Sequence, residues 1–129
     1  MKLNMDCIRD ILIAVESLNY GDVYTIPKLH DNLPNYSEET LDYHCRQLTD
    51  AGFLDALTIN VMGCPYPQVA RIMDLTFTGH QFLADILSDT IWNKTKDIAK
   101  SVGAESLHAI KDIAVNVVSS MVQNKLGLH

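Results

Sequence analysis

The sequence predicts a mostly helical α+β chain with one small β-hairpin. Three observations carry this reading. Apolar residues recur at helical spacing in the first and last thirds, the period switches to two between residues 53 and 75, and capping residues punctuate the helical runs. With 129 residues, 47% hydrophobic and 20% charged, the composition is that of one folded domain able to bury a core.

The first helix is expected from about Asn4 to Leu18. Met5, Ile8, Ile11, Leu12, Val15 and Leu18 share one face, while Asp6, Arg9, Asp10 and Glu16 are left to water. Asn4 is its expected N-cap, and Gly21 ends it by allowing a left-handed turn. "VYTI" reads as one brief strand, and Pro27 suits the first turn of a short helix that Pro34 stops. The next helix is expected over about Ser37 to Ala51. Ser37 caps it, Glu38 and Glu39 sit at the positive end of its dipole, and Gly52 is the exit. Its buried stripe is Leu41, His44, Cys45 and Leu48.

After Gly52, "FLDALTINV" and "YPQVARIMDL" alternate as strands about a turn at "MGCP", an antiparallel hairpin. Helix returns from about Thr76, capped by Thr76 or Thr78. Phe82, Leu83, Ile86, Leu87, Ile91, Ile98 and Val102 then keep one face as far as Gly103. Gly79 is expected to let helix approach strand closely. A last helix, about Glu105 to Leu126, closes the chain. This order describes a winged helix-turn-helix with a helical C-terminal extension. Residues 1–102 form the winged-helix domain and residues 103–129 a C-terminal amphipathic helix.

Four stretches, "MDCIRDILIAVE", "YHCRQLTDAGFL", "LTFTGHQFL" and "DTIWNKTK", in this order, resemble a bacterial and prophage winged-helix family of unknown function. The resemblance covers roughly residues 1–102. It implies the fold and a bacterial or phage setting, and it implies no activity.

Several function classes find no support. The five histidines are scattered, and no Gly-rich phosphate loop, HExxH or nucleophile elbow is present. His44 and Cys45 are adjacent on one helix and point about 100° apart, a poor start for a zinc site. We therefore expect no enzyme, no metal, no cofactor and no small-molecule substrate. Cys7, Cys45 and Cys64 are three and far apart, which fits reduced thiols in the cytoplasm. No apolar run is long enough for a membrane span, and the acidic, charged N-terminal stretch is no secretory signal.

Charge separates the remaining readings. The net charge is −6, and residues 20–75 carry three cations against eight carboxylates. On the third helix the expected outer face presents Glu39, Asp42, Tyr43, Arg46, Gln47 and Asp50. Tyr43, Arg46 and Gln47 suit DNA reading, but three carboxylates share the face with one Arg, and the hairpin turn carries no Lys or Arg. A protein partner, self-association included, is the expected ligand, with duplex DNA the disfavoured alternative. DNA binding keeps one route, a basic patch of Lys94, Lys96 and Lys100 assembled in a dimer. In the last helix, Leu107, Ile110, Ala114, Val117 and Met121 form a narrow seam, flanked by Val118 and further apolar residues. We expect this helix to lay one flank on the core and one on a second copy. His80 is expected half-buried and bonded to backbone. Trp92 has two readings, a core wedge or an exposed anchor flanked by Lys94 and Lys96.

Overall fold

A computed structural model describes residues 1–127. The elements are α1 (Met5–Glu16), α2 (Ile26–Asn32), α3 (Glu38–Asp50), β1 (Leu54–Ile59), β2 (Gln68–Leu75), α4 (Phe77–Ile86), α5 (Asp89–Val102) and α6 (Leu107–Lys125). The chain forms two compact units, Met1–His80 and the part from Gln81 onward, so the division falls within α4. The sequence reading drew its boundary after Val102 instead. The difference follows from α5 packing against α6, which keeps the two helices in one unit.

The first unit is built by its caps and stripes. The Asn4 side chain accepts the Cys7 N–H at 3.1 Å and so starts α1. Thr25 caps α2 and Ser37 caps α3 in the same way. Cys7, Ile8, Ile11, Leu12 and Val15 of α1 are buried, as are Leu41, His44, Cys45 and Leu48 of α3, the stripe the period predicts. Phe53, Leu54, Val69, Ile72 and Leu75 complete this core from the hairpin. β1 and β2 pair antiparallel, with two register shifts at which β2 holds an extra residue. The brief strand expected at "VYTI" is a single bridge, in which Tyr24 and Ile72 exchange both backbone hydrogen bonds at 2.9 and 2.8 Å.

The corner after β2 is set by Thr76. Its hydroxyl donates to the Gly52 carbonyl and accepts the Gly79 N–H, so Thr76 rather than Thr78 caps α4. Gly79 lies against the Phe53 backbone, where an added Cβ would stand 2.0 Å from the carbonyl oxygen. No other residue fits there without moving the strand. The single helix expected from Thr76 to Gly103 is broken in two. Ser88 accepts the Ile91 N–H and starts α5 afresh. The new start also rotates the buried stripe to Trp92, Thr95 and Ala99, leaving Leu87, Ile98 and Val102 exposed.

In α6 the seam residues Leu107, Ile110, Ala114 and Val117 are buried, and α6 packs on α5 of the same chain. Four of the six residues expected on the dimer helix, Leu107, Ile110, Ala114 and Val117, are thus covered within the chain. Met121 and Val118 are half-buried, and Val115, Val122 and Leu126 are the exposed apolar flank.

His44 is 1% exposed and fully bonded. Its Nε2 accepts the Asn4 N–H at 2.8 Å, and Nδ1 lies 2.8 Å from the Thr40 carbonyl. Because Nε2 accepts, the proton sits on Nδ1 and the ring is neutral. Burial holds its pKa below the ordinary 6.5, outweighing the upward pull of the Thr40 bond. Above 6.5 both folded and unfolded chains carry a neutral ring, and the full stability is present. As pH falls through 6.5 the unfolded chain takes up the proton first, so stability declines until the folded ring also titrates. Urea unfolding followed from about pH 7.5 to about pH 5.5 is therefore expected to show a falling midpoint, and His44→Gln, which keeps an acceptor, flattens that fall.

Candidate functional site

The outward side of α3 does not lie open. Its polar residues are drawn into a cleft of about 500 Å³ lined by α3, the start of α2, Met1 and the first residues of β2. Glu39, Asp42, Tyr43 and Arg46, four of the six residues expected on this face, line it. Gln47 and Asp50 do not.

Each of three side chains already has an internal task. Asp42 Oδ1 accepts the Val69 N–H at 2.9 Å, so this carboxylate tethers β2 to α3. The Tyr43 hydroxyl donates to the Met1 carbonyl at 2.8 Å, and the Tyr43 ring meets His44 edge-on, centroids 5.3 Å apart at 84°. Arg46 lies between two aromatic rings, its guanidinium carbon 5.9 Å from the Tyr43 centroid and 5.7 Å from that of Tyr66. This arrangement holds the cation by ring quadrupoles. Its buried Nε has no hydrogen-bond partner.

Tyr66 comes from the loop between β1 and β2, where Pro65 and Pro67 flank it, and its side chain remains substantially exposed. Its phenol is pushed above the ordinary 10.0. The causes, largest first, are the charge of Cys64, desolvation, the hydrogen bond to Cys64, and the carboxylates of Glu39 and Asp42. The α3 carboxylates of Glu39 and Asp42 thus act on a ring supplied by the hairpin loop. Glu38 and Glu39 stand exposed at the rim. The cleft therefore holds three carboxylates against one guanidinium.

The buried thiols offer no nucleophile here, since burial pushes Cys7 up to about 12 and pushes Cys45 up as well. Among the described residues no group of three His, Cys, Asp or Glu side chains converges as a metal site. No helix of the described chain is long and apolar enough to cross a membrane.

The remaining sites expected from sequence lie elsewhere. His80, expected half-buried and bonded to backbone, is exposed, its Nε2 standing 3.7 Å from Asp74 Oδ1. Trp92 is 2% exposed, in line with the core wedge and against the surface anchor of its two readings, because α5 turns it inward with Thr95 and Ala99. Lys94 is exposed, while the Lys96 ammonium lies 5.9 Å from the Trp92 centroid. Lys94 also borders a second groove, about 290 Å³, between α5 and α6, floored by Ile98, Ile113, Val117 and Met121. The sequence reading missed Tyr66 as a partner of Arg46. The only signal was a Tyr between two prolines in an uncharged turn.

If Asp42 is a structural tether, Asp42→Asn keeps the acceptor and leaves thermal stability nearly unchanged. Asp42→Ala instead orphans the Val69 N–H and lowers stability by about 1–2 kcal/mol, read by chemical denaturation.

Residues 2–105 match the family model described as "Hypothetical protein (DUF2513)". The chain is similar to a protein described as "Uncharacterized protein" from Haemophilus influenzae, with 36% identity over 126 residues, covering 95% of this chain and 99% of the relative. No solved structure matches. With four fifths of its length matched by the family model and a relative aligned almost end to end, the chain belongs to the DUF2513 family.

Proposed function

We propose that this chain is a non-enzymatic winged-helix binding module of bacterial or phage origin, working through protein contacts and self-association. The winged-helix reading draws support from the order of helices α1 to α3 followed by the β1–β2 hairpin, with Tyr24 adding a bridge beside β2. A bacterial relative of matching length supports the setting.

The observation that carries the protein reading is the state of Arg46. It is the one cation on the face of α3 that a DNA-reading module would lay in the major groove. It lies over the rings of Tyr43 and Tyr66, in a cleft that Glu38, Glu39 and Asp42 also line. DNA affinity comes largely from cations that neutralise phosphates, and a typical specific site uses several. Here the nearest groups on that face repel a polyanion. The hairpin gives no compensation, since residues 56–70 hold no charge at all. An uncharged, partly apolar hairpin beside an acidic cleft is a surface suited to a polypeptide.

In a mobility-shift titration at low salt, micromolar protein is expected to leave mixed-sequence duplex DNA unretarded. Retardation that weakens on Arg46→Ala would replace this reading with the alternative, a DNA-binding regulator using Tyr43, Arg46 and Gln47. Self-association draws on the exposed stripe of Val115, Val122 and Leu126 on α6. Light scattering after size exclusion is expected to give twice the 14.4 kDa chain mass at micromolar concentration. Val122→Glu is expected to return it to the single-chain value, and a single-chain mass for the unaltered protein removes the dimer.

A further inference from the structure

Resting on the protein-contact reading above, we infer that the α3 cleft receives a lysine or arginine side chain projecting from an apolar segment of a partner protein. Charge complementarity selects this occupant. Glu38, Glu39 and Asp42 are three carboxylates that outnumber the cationic groups of the lining, Arg46 and the Met1 ammonium, so a basic side chain is drawn in and an acidic one is opposed. The wall is suited to the same group. Tyr66 already carries one guanidinium at 5.7 Å while its side chain is 46% exposed, so ring surface remains for a second cation.

Two further observations define what surrounds that basic group. The hairpin beside the cleft is uncharged from residue 56 to residue 70 and exposes Leu57, Ile59, Val61 and Met62, which favours apolar neighbours in the partner segment. The buried Nε of Arg46 lacks an acceptor. A peptide carbonyl supplies one without adding charge, whereas a carboxylate would add a fourth negative charge beside Glu38, Glu39 and Asp42. A polypeptide thus meets both demands, a cation for the rim and a neutral acceptor for the interior.

The test uses the full-length, isotope-labelled chain and three blocked tripeptides, Val-Arg-Val, Val-Gln-Val and Val-Glu-Val, at millimolar concentration. Val-Arg-Val is expected to shift the amide resonances of Glu39, Tyr66 and Gln68 saturably. The double variant Glu38→Gln with Glu39→Gln is expected to weaken that binding roughly fivefold, since each exposed ion pair contributes up to about 1 kcal/mol. Added salt weakens it further. Equal shifts from all three peptides overturn the choice of a basic side chain and leave protein contact at this cleft standing. Shifts of the same resonances by duplex DNA, with none from the peptides, overturn both readings. Absence of any shift in these resonances with Val-Arg-Val overturns the inference alone.

Discussion

One buried imidazole connects the packing of the first unit to the α3 cleft. His44 accepts the N–H of Asn4, the residue whose side chain begins α1, and so fixes the start of α1 against the middle of α3. That bond positions the segment before α1, and the Met1 carbonyl then takes the Tyr43 hydroxyl. Tyr43 packs edge-on against His44 and face-on toward Arg46, and Arg46 reaches Tyr66 on the hairpin loop. Core and cleft are therefore successive links of one chain of contacts. The neutral ring is essential to it, because a protonated Nε2 would turn an acceptor into a donor facing another donor.

The two sides of α3 divide the labour. Leu41, His44, Cys45 and Leu48 are buried, while Asp42, Tyr43 and Arg46 are only half-buried and line the cleft. Glu38 and Glu39 need no ligand to justify their position, since carboxylates in the first turn of a helix are favoured by the macrodipole. That favourable site keeps two negative charges on the rim at little cost in stability. Their effect on any polyanion is unchanged by this. A helix start that is good for folding is therefore poor for phosphate binding, and both consequences come from the same two residues.

The caps and stripes of the first unit were legible because each depends on residues close in sequence. Asn4 and Ser37 cap where their spacing to the apolar run says they should, and the change of period after Gly52 marks the hairpin. The single helix drawn from Thr76 to Gly103 failed for a physical reason. Apolar residues continue across Leu87 and Ser88, and periodicity cannot register a break that a lone serine cap makes. The rotation of α5 that follows carries Trp92 inward, so its reading as a surface anchor fell with the helix boundary. In α6 the spacing of Leu107, Ile110, Ala114 and Val117 was sound, but a stripe does not say whose surface covers it. In the cleft, Asp42 and Arg46 were visible as an outward face. Their partners, Val69 and Tyr66, were not, because 27 positions separate Asp42 from Val69, with β1 and the loop after it between them.

Charge is unevenly distributed between the two units, and this bears on how a partner is recognised. Residues 1–80 hold all of the net −6, while residues 81–129 carry five charges of each sign. Net attraction for a cation therefore comes from the first unit only. At physiological ionic strength that attraction is screened beyond about 8 Å, so the overall acidity speeds encounter but selects little. Discrimination must come from groups within touching distance of the incoming side chain. Glu38, Glu39 and the exposed ring of Tyr66 meet that condition, whereas Asp42 spends one oxygen on Val69 and Tyr43 spends its hydroxyl on Met1. In the proposed complex, the residues that hold the cleft together are thus largely distinct from those left to read what enters it.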